Sequence, residues 1–167
     1  MSIRTLWPSA SDAWNYARNM AASQTVLVLS GANLNLLGQR DPEIYGTMTL
    51  DDHVSVARTT AQGVGLSIEH VQANDSGSLV EAIHSARGRV AGIVINPGAF
   101  THYAWSIHDA LAAFDGPVVE VHLSQPLARE SWRHTSVVAP VADGTISGFG
   151  AATYALAITA MSALLSR

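Results

Sequence analysis

Val26-Leu27-Val28-Leu29-Ser30 runs directly into Gly31-Ala32-Asn33-Leu34-Asn35-Leu36-Leu37-Gly38-Gln39-Arg40-Asp41-Pro42-Glu43-Ile44-Tyr45-Gly46, and the reading of this stretch decides the fold. Its first residues are a short apolar run without alternation, the pattern of a strand buried on both faces. Strands of that kind belong to parallel sheets covered by helices on each side. The segment that follows is long for an α/β protein, where connections run about 2 to 6 residues. A long loop at the C-terminal end of a strand is where such folds place their chemistry. This one offers asparagine amides, a guanidinium and a phenol.

Downstream, Thr49-Leu50-Asp51-Asp52 has the form of a capping box with Asp in place of Glu, and Leu50, Val54, Ala57 and Ala61 follow at helical spacing. Gly63 and Gly65 end that helix, and residues 66–71 read as the second strand. A polar loop, 72–77, leads to a second helix marked by Leu79, Val80, Ile83 and Ala86. Residues 90–95 form a third apolar strand, followed by Asn96-Pro97-Gly98-Ala99-Phe100-Thr101-His102. Trp105, Ile107, Ala110, Leu111 and Phe114 mark a third helix, and 118–123 a fourth strand. Pro126 opens a short fourth helix that carries Arg129 and Arg133 on one face. Residues 137–141 read as a fifth strand, at an edge because of Pro140, and a last helix starts near Gly150.

Five β-α alternations with right-handed crossovers predict an α/β protein of the flavodoxin-like, doubly wound kind. The expected architecture is a five-stranded parallel sheet in a three-layer α/β/α sandwich, over residues 25–167. Residues 1–24 are expected to be an N-terminal extension, either a short helix capped near Ser9-Ala10-Ser11-Asp12 or disordered.

Composition narrows the function. The chain has 167 residues, enough for one domain with a substantial core. With a net charge of -4 and no basic run, nucleic acid is not the expected partner. There is no cysteine, hence no disulfide and no thiolate metal site, which fits a cytoplasmic protein. All nine basic residues are arginine, so neither a side-chain Schiff base nor a Walker lysine is available. No apolar run reaches the roughly 18 to 20 residues that span a bilayer, and the N-terminus lacks the pattern of a secretory signal. Only 13% of residues are charged, which suggests surface hidden in an oligomer.

Several constellations could carry chemistry. Arg40 and Tyr45 share the long loop; a guanidinium favours the phenolate, so this tyrosine could serve as a general base, or it could simply pack on the surface. Glu120 and His122 are two apart on a strand and leave its same face, as either an oriented proton donor or a structural ion pair. His102 and Asp109, seven apart on one expected helix, could bind hydroxyls together or face solvent. Arg129 and Arg133 could clamp a carboxylate, and Ser124 with its neighbouring amides could hold an anion. No tight His/Asp triplet or His-Glu-x-x-His points to a metal, and Gly148-Phe149-Gly150 does not open a first βαβ unit as a dinucleotide site would.

Taken together these pieces resemble the type II 3-dehydroquinate dehydratases. The loop 31–46 is similar to that family's NGPNLNLLGxREPxIYG, residues 96–102 to NPGAYTH, and Glu120-Val121-His122-Leu123-Ser124 to EVHLS. Ala128-Arg129-Glu130 and Arg133 resemble HAREEFR, and residues 140–150 resemble PVADGVIxGFG; the likeness covers about 25–165. It implies anti elimination of water from 3-dehydroquinate through an enolate, with no cofactor and no metal, in shikimate biosynthesis or quinate catabolism. By this resemblance Tyr45 is the base and Arg40 favours its ionised form, Asn33 stabilises the enolate through a water, and His122, oriented by Glu120, protonates the departing hydroxyl. Asn96, His102, Asp109, Leu123, Ser124 and Arg133 would hold the substrate, with Arg129 at the loop-closing arginine position. A dodecamer built from trimers is implied, with Asp109 reaching a neighbouring site. The type I enzymes of the same reaction use a Schiff-base lysine, which this chain lacks. Ala32 stands where the family carries proline, Ser76 and Ser131 stand where it carries glutamate, and Gln125-Pro126-Leu127 replaces its NxH. These departures motivate an alternative, a catalytically impaired paralogue that binds a cyclohexane carboxylate or acts as an assembly partner. A flavin-binding module is suggested by fold alone.

Overall fold

The structure is a computed structural model that describes residues 25–39 and 42–167. The expectations for 1–24, and the placement of Arg40, lie outside the described residues.

Five strands make one parallel sheet: β1 (Thr25–Ser30), β2 (Ser67–Gln72), β3 (Gly92–Asn96), β4 (Val118–His122) and β5 (Gly144–Ser147), in the order β2-β1-β3-β4-β5. The helices are α1 (Pro42–Tyr45), α2 (Leu50–Gly63), α3 (Ser76–Ala86), α4 (Trp105–Ala112) and α5 (Thr153–Leu165). The doubly wound order is the flavodoxin-like one, and it puts the reversal of winding between β1 and β3.

Side-chain alternation along the strands splits the core into two layers. Leu27, Leu29, Ile93, Ile95 and Val118 pack with Leu79 and Ile83 of α3 and with Ile107 and Leu111 of α4. Val26, Val28, Val94, Val119 and Val121 pack with Val54 and Ala57 of α2 and with Ala157, Ile158 and Met161 of α5. Each fully buried side chain of this size contributes about 1.5–3 kcal/mol. At Gly92 any added Cβ would run into Met161, so the missing side chain lets α5 lie close against β3.

Residues 31–39 of the long loop are anchored by apolar packing. Leu34 and Leu37 flank the short 3-10 turn Leu34–Leu36 and are buried in the α2/α5 layer, against the same cluster as Val26 and Leu50. The capping box at α2 is present: the Thr49 hydroxyl accepts from the Asp52 N–H at 3.2 Å, and the Asp52 carboxylate accepts from the Thr49 N–H at 2.8 Å.

Three expectations need correction. The fifth strand is not 137–141 but Gly144–Ser147, which pairs in parallel with β4 from Val119↔Gly144 to His122↔Ser147. Val137 and Val138 are buried, but as part of a crossover into the α3/α4 layer, and Pro140 sits in a 3-10 turn, Ala139–Val141. Arg129 and Arg133 do not share a helix: two 3-10 turns, Pro126–Ala128 and Ser131–His134, are separated by extended backbone at Arg129 and Glu130. His102 and Asp109 also belong to different elements, because the 3-10 turn Gly98–His102 ends at Tyr103 before α4 begins.

Candidate active site

The polar residues gather at the C-terminal ends of β1, β3 and β4, as a doubly wound sheet dictates. Ser30 pairs with Asn96 and Ile95 with Glu120, so the ends of the three strands lie side by side. Beyond them Gly31 donates its N–H to the Asn96 carbonyl at 2.7 Å, and a Cβ on Gly31 would overlap the Pro97 carbonyl. Only glycine lets these two loops cross so closely.

Glu120 has the same strand parity as Val118, which faces the α3/α4 core, and it is fully buried. A carboxylate at a core position must be paired and hydrogen-bonded to be tolerated. Thr101 donates its hydroxyl to Glu120 Oε1 at 2.5 Å, Ser136 lies 3.1 Å from each carboxylate oxygen, and His122 Nε2 is 2.8 Å from Oε1. Ser136 is itself oriented by accepting the N–H groups of Val138 and Ala139. Burial alone would raise the Glu120 carboxyl; the hydrogen bonds from His122 and Thr101, the charge of His122 and the bond from Ser136 outweigh it and hold the group below the usual carboxylate range. An ionised carboxylate there fixes the ring of His122 and leaves Nδ1 as the nitrogen that can face a ligand.

His122 opens onto a cleft of about 230 Å³ whose walls include Thr101, His102, Glu120, Arg133, His134 and Ser136. His102 is held by its Nδ1, 2.7 Å from the Thr135 carbonyl, and by an edge-on contact with Trp132. The Arg133 guanidinium lies 3.9 Å over the Trp132 ring and donates to Glu130 at 2.7 Å. A ligand in this cleft meets three imidazoles and a fixed guanidinium, a set suited to hydroxyl and carboxylate groups.

Tyr45 closes α1 and lines a separate cavity of about 300 Å³ with Gly46, Thr47, Met48, His53, Gly150 and Ala151. Its hydroxyl accepts from Arg129 Nη1 at 2.8 Å, and the same guanidinium lies 5.7 Å over its ring. Arg129 stands between the two turns that contribute Pro126, Leu127, Arg133 and His134 to the first cleft. Arg40, which the sequence reading put beside this phenol, lies outside the described residues.

The remaining expected residues line neither of these two cavities. Asn33 begins the turn after β1 with a left-handed backbone, φ 64°. Asn96 is buried at the end of β3, its side-chain oxygen accepting from the Gly98 N–H at 3.2 Å. Leu123 and Ser124 follow β4 directly, Leu123 buried and Ser124 partly so. Asp109 is exposed on α4 and is not part of either cavity wall. Sequence reasoning passed over Thr101 and Ser136 as the partners of Glu120. The even spacing of Val118, Glu120 and His122 was the available signal, since it put a charge on a core face that had to be answered from elsewhere.

Comparison with known proteins places residues 24–162 in the family model described as Dehydroquinase class II. The chain is 52% identical over 142 residues to a 3-dehydroquinate dehydratase of Ruegeria pomeroyi, covering 85% of this chain and 95% of that one. It is 52% identical over 136 residues to 3-dehydroquinate dehydratase 2 of Pseudomonas aeruginosa, covering 81% of this chain and 92% of the relative. Among solved structures it superimposes on a type II dehydroquinase of Propionibacterium acnes with TM-score 0.80 and 41% identity, over 84% of this chain and 97% of that chain.

Proposed function

This chain belongs to the class II dehydroquinases, and we propose that it eliminates water from 3-dehydroquinate to give 3-dehydroshikimate, with Tyr45 and His122 as the pair that moves the protons. The observation that carries the reading is the pair of charge-assisted contacts, Arg129 on the Tyr45 hydroxyl and Glu120 on His122. Each sets a charged side chain against a group that can carry a proton.

The phenolate of Tyr45 removes a proton from the carbon beside the ketone, and the electron pair becomes an enolate. Asn33, through a water, supports the enolate oxygen. The enolate then re-forms the ketone and makes a carbon–carbon double bond while the hydroxyl one carbon further leaves. Protonated His122 gives that hydroxyl its proton, so that it departs as water. The tyrosine ends protonated and the imidazole neutral, and one proton passed back between them resets the site. Asn96, His102, Arg133, and the backbone at Leu123 and Ser124 hold the ring hydroxyls and carboxylate. Arg129 closes the site over Tyr45, and Arg40 adds positive charge from the loop. In this reading no metal or coenzyme takes part.

The reading extends to a cytoplasmic enzyme assembled as a dodecamer of trimers, with Asp109 completing a neighbour's site. Support for the assembly comes from Tyr103 and Trp105, each 62% exposed at the start of the helix that carries Asp109. Among the described residues no helix is long and apolar enough to cross a membrane. The test is the purified full-length chain with 3-dehydroquinate, watching the conjugated enone form, with and without borohydride. Turnover unaffected by borohydride is expected, because no lysine exists to trap. Absence of turnover, or inactivation by borohydride only when substrate is present, defeats the reading.

A further inference from the structure

Asn33 is the only non-glycine residue with positive φ among the described residues, at 64°. Asparagine reaches this region more easily than most side chains, yet a single left-handed residue on an exposed turn is held there only if its surroundings fix it. The turn has no side-chain cap of its own. What fixes it comes from the neighbouring strand. The Asn33 N–H donates to Asn74 Oδ1 at 2.8 Å, and the same oxygen accepts from Gln72 Nε2 at 3.0 Å. Gln72 Nε2 also lies 3.3 Å from the Gly31 carbonyl and 3.4 Å from Asn35 Oδ1. The base of this bridge is rigid, since Gln72 pairs with Ser30 in the sheet and Ala73 donates its N–H to the Ser30 carbonyl at 3.0 Å.

The chemistry of the partners settles which way each amide points. A backbone N–H only donates, so Asn74 must present oxygen to Asn33. Gln72 must then present nitrogen to Asn74 and to the Gly31 carbonyl. Neither side chain lines the cleft of His122 or the cavity of Tyr45. We propose that Asn74, oriented by Gln72, is a positioning residue of the dehydratase: it holds Asn33 left-handed, so that the Asn33 amide can hold the water that meets the enolate oxygen as it forms. The proposal rests on the role given to Asn33 above.

The donor and acceptor pattern predicts opposite outcomes for two near-isosteric changes. Asn74→Asp keeps an oxygen facing two donors, whereas Gln72→Glu puts a carboxylate against acceptors and loses the donor. A misplaced group at the reacting centre costs about tenfold to a hundredfold in rate. We expect Asn74→Ala and Gln72→Glu to lower kcat by about tenfold or more with KM changed by less than about threefold, and Asn74→Asp to recover most of the loss.

The same proteins are read by amide hydrogen exchange of residues 31–38, which needs no substrate. Exchange should speed up in Asn74→Ala and Gln72→Glu and stay near wild type in Asn74→Asp. Equal kcat in wild type and Asn74→Ala overturns the proposal, as does an Asp variant as slow as the Ala variant. A wild type that exchanges like Asn74→Ala also overturns it. If wild type does not turn over 3-dehydroquinate, the dehydratase reading fails by itself, and the exchange comparison alone decides whether Asn74 holds the loop.

Discussion

His53 is 1% exposed, and neither ring nitrogen has a hydrogen-bond partner among the described residues. Burial lowers its affinity for a proton, only partly offset by the neighbouring Asp52. A histidine that stays neutral in the fold but takes up a proton when unfolded makes stability rise with pH between its folded pKa and the usual value near 6.5. The fold should therefore weaken as pH falls below about 6.5. His70, lowered mainly by burial, acts in the same direction. We expect His53→Leu to be at least as stable as wild type at pH 7.5, since an unsatisfied buried polar group costs about 1–3 kcal/mol, with a margin that grows toward pH 5.5. Urea unfolding at the two pH values reads this, and a margin that shrinks in acid contradicts it.

Glu120 acts in the same direction at lower pH, because its carboxyl is held below the usual range. Its contribution is complete above the unfolded carboxylate pKa and is lost as pH falls through the folded one. Ser136→Ala removes one donor from this buried carboxylate. It should cost about 1–3 kcal/mol at neutral pH, and the difference from wild type should narrow below about pH 4. A difference that is constant with pH would place Ser136 outside the Glu120 network. Arg129 is probed through its geometry: Arg129→Lys keeps charge but not the planar fork, so turnover should remain well below wild type although above Arg129→Ala.

At the scale of elements, the helix α2 shows how far local rules carry. Its start was legible because Thr49 and Asp52 satisfy each other's backbone whatever lies around them. Thr49→Ala should lower stability by about 1 kcal/mol, seen as a lower denaturant midpoint at unchanged slope; an unchanged midpoint contradicts the cap. The edge strand β5 was not legible. Gly144, Thr145 and Ser147 give Ile146 no strong pattern, and the strand forms by pairing with β4, a contact between distant parts of the chain. Val137 and Val138 carry the stronger apolar signal, yet they are buried because they cross over the α3/α4 layer. The region of Arg129 and Arg133 misled for a related reason. Spacing of four suggests a helix face, but Pro126 starts only one turn and Glu130 bridges both arginines from extended backbone.

For the whole molecule, the alternation of short apolar runs with helical spacing was enough for the layers and winding, since parallel strands must be covered on both faces. The winding also places the described residues 31–39, with 96–102 and 120–124, at the C-terminal ends of the central strands, where the sequence reading looked for the site. The supports of the loops were not legible, because Gln72, Asn74, Thr101 and Ser136 reach Gly31, Asn33 and Glu120 from distant parts of the chain, where spacing says nothing. The account rests on two proton-transfer groups, Tyr45 held by Arg129 and His122 held by Glu120. The most direct test is the steady-state rate of enone formation from 3-dehydroquinate by wild type and by Tyr45→Phe, which removes one oxygen and keeps the ring. Loss of a positioned base costs about 10² to 10⁴-fold, so Tyr45→Phe should fall by that range while wild type turns over. A Tyr45→Phe enzyme as fast as wild type would contradict the account.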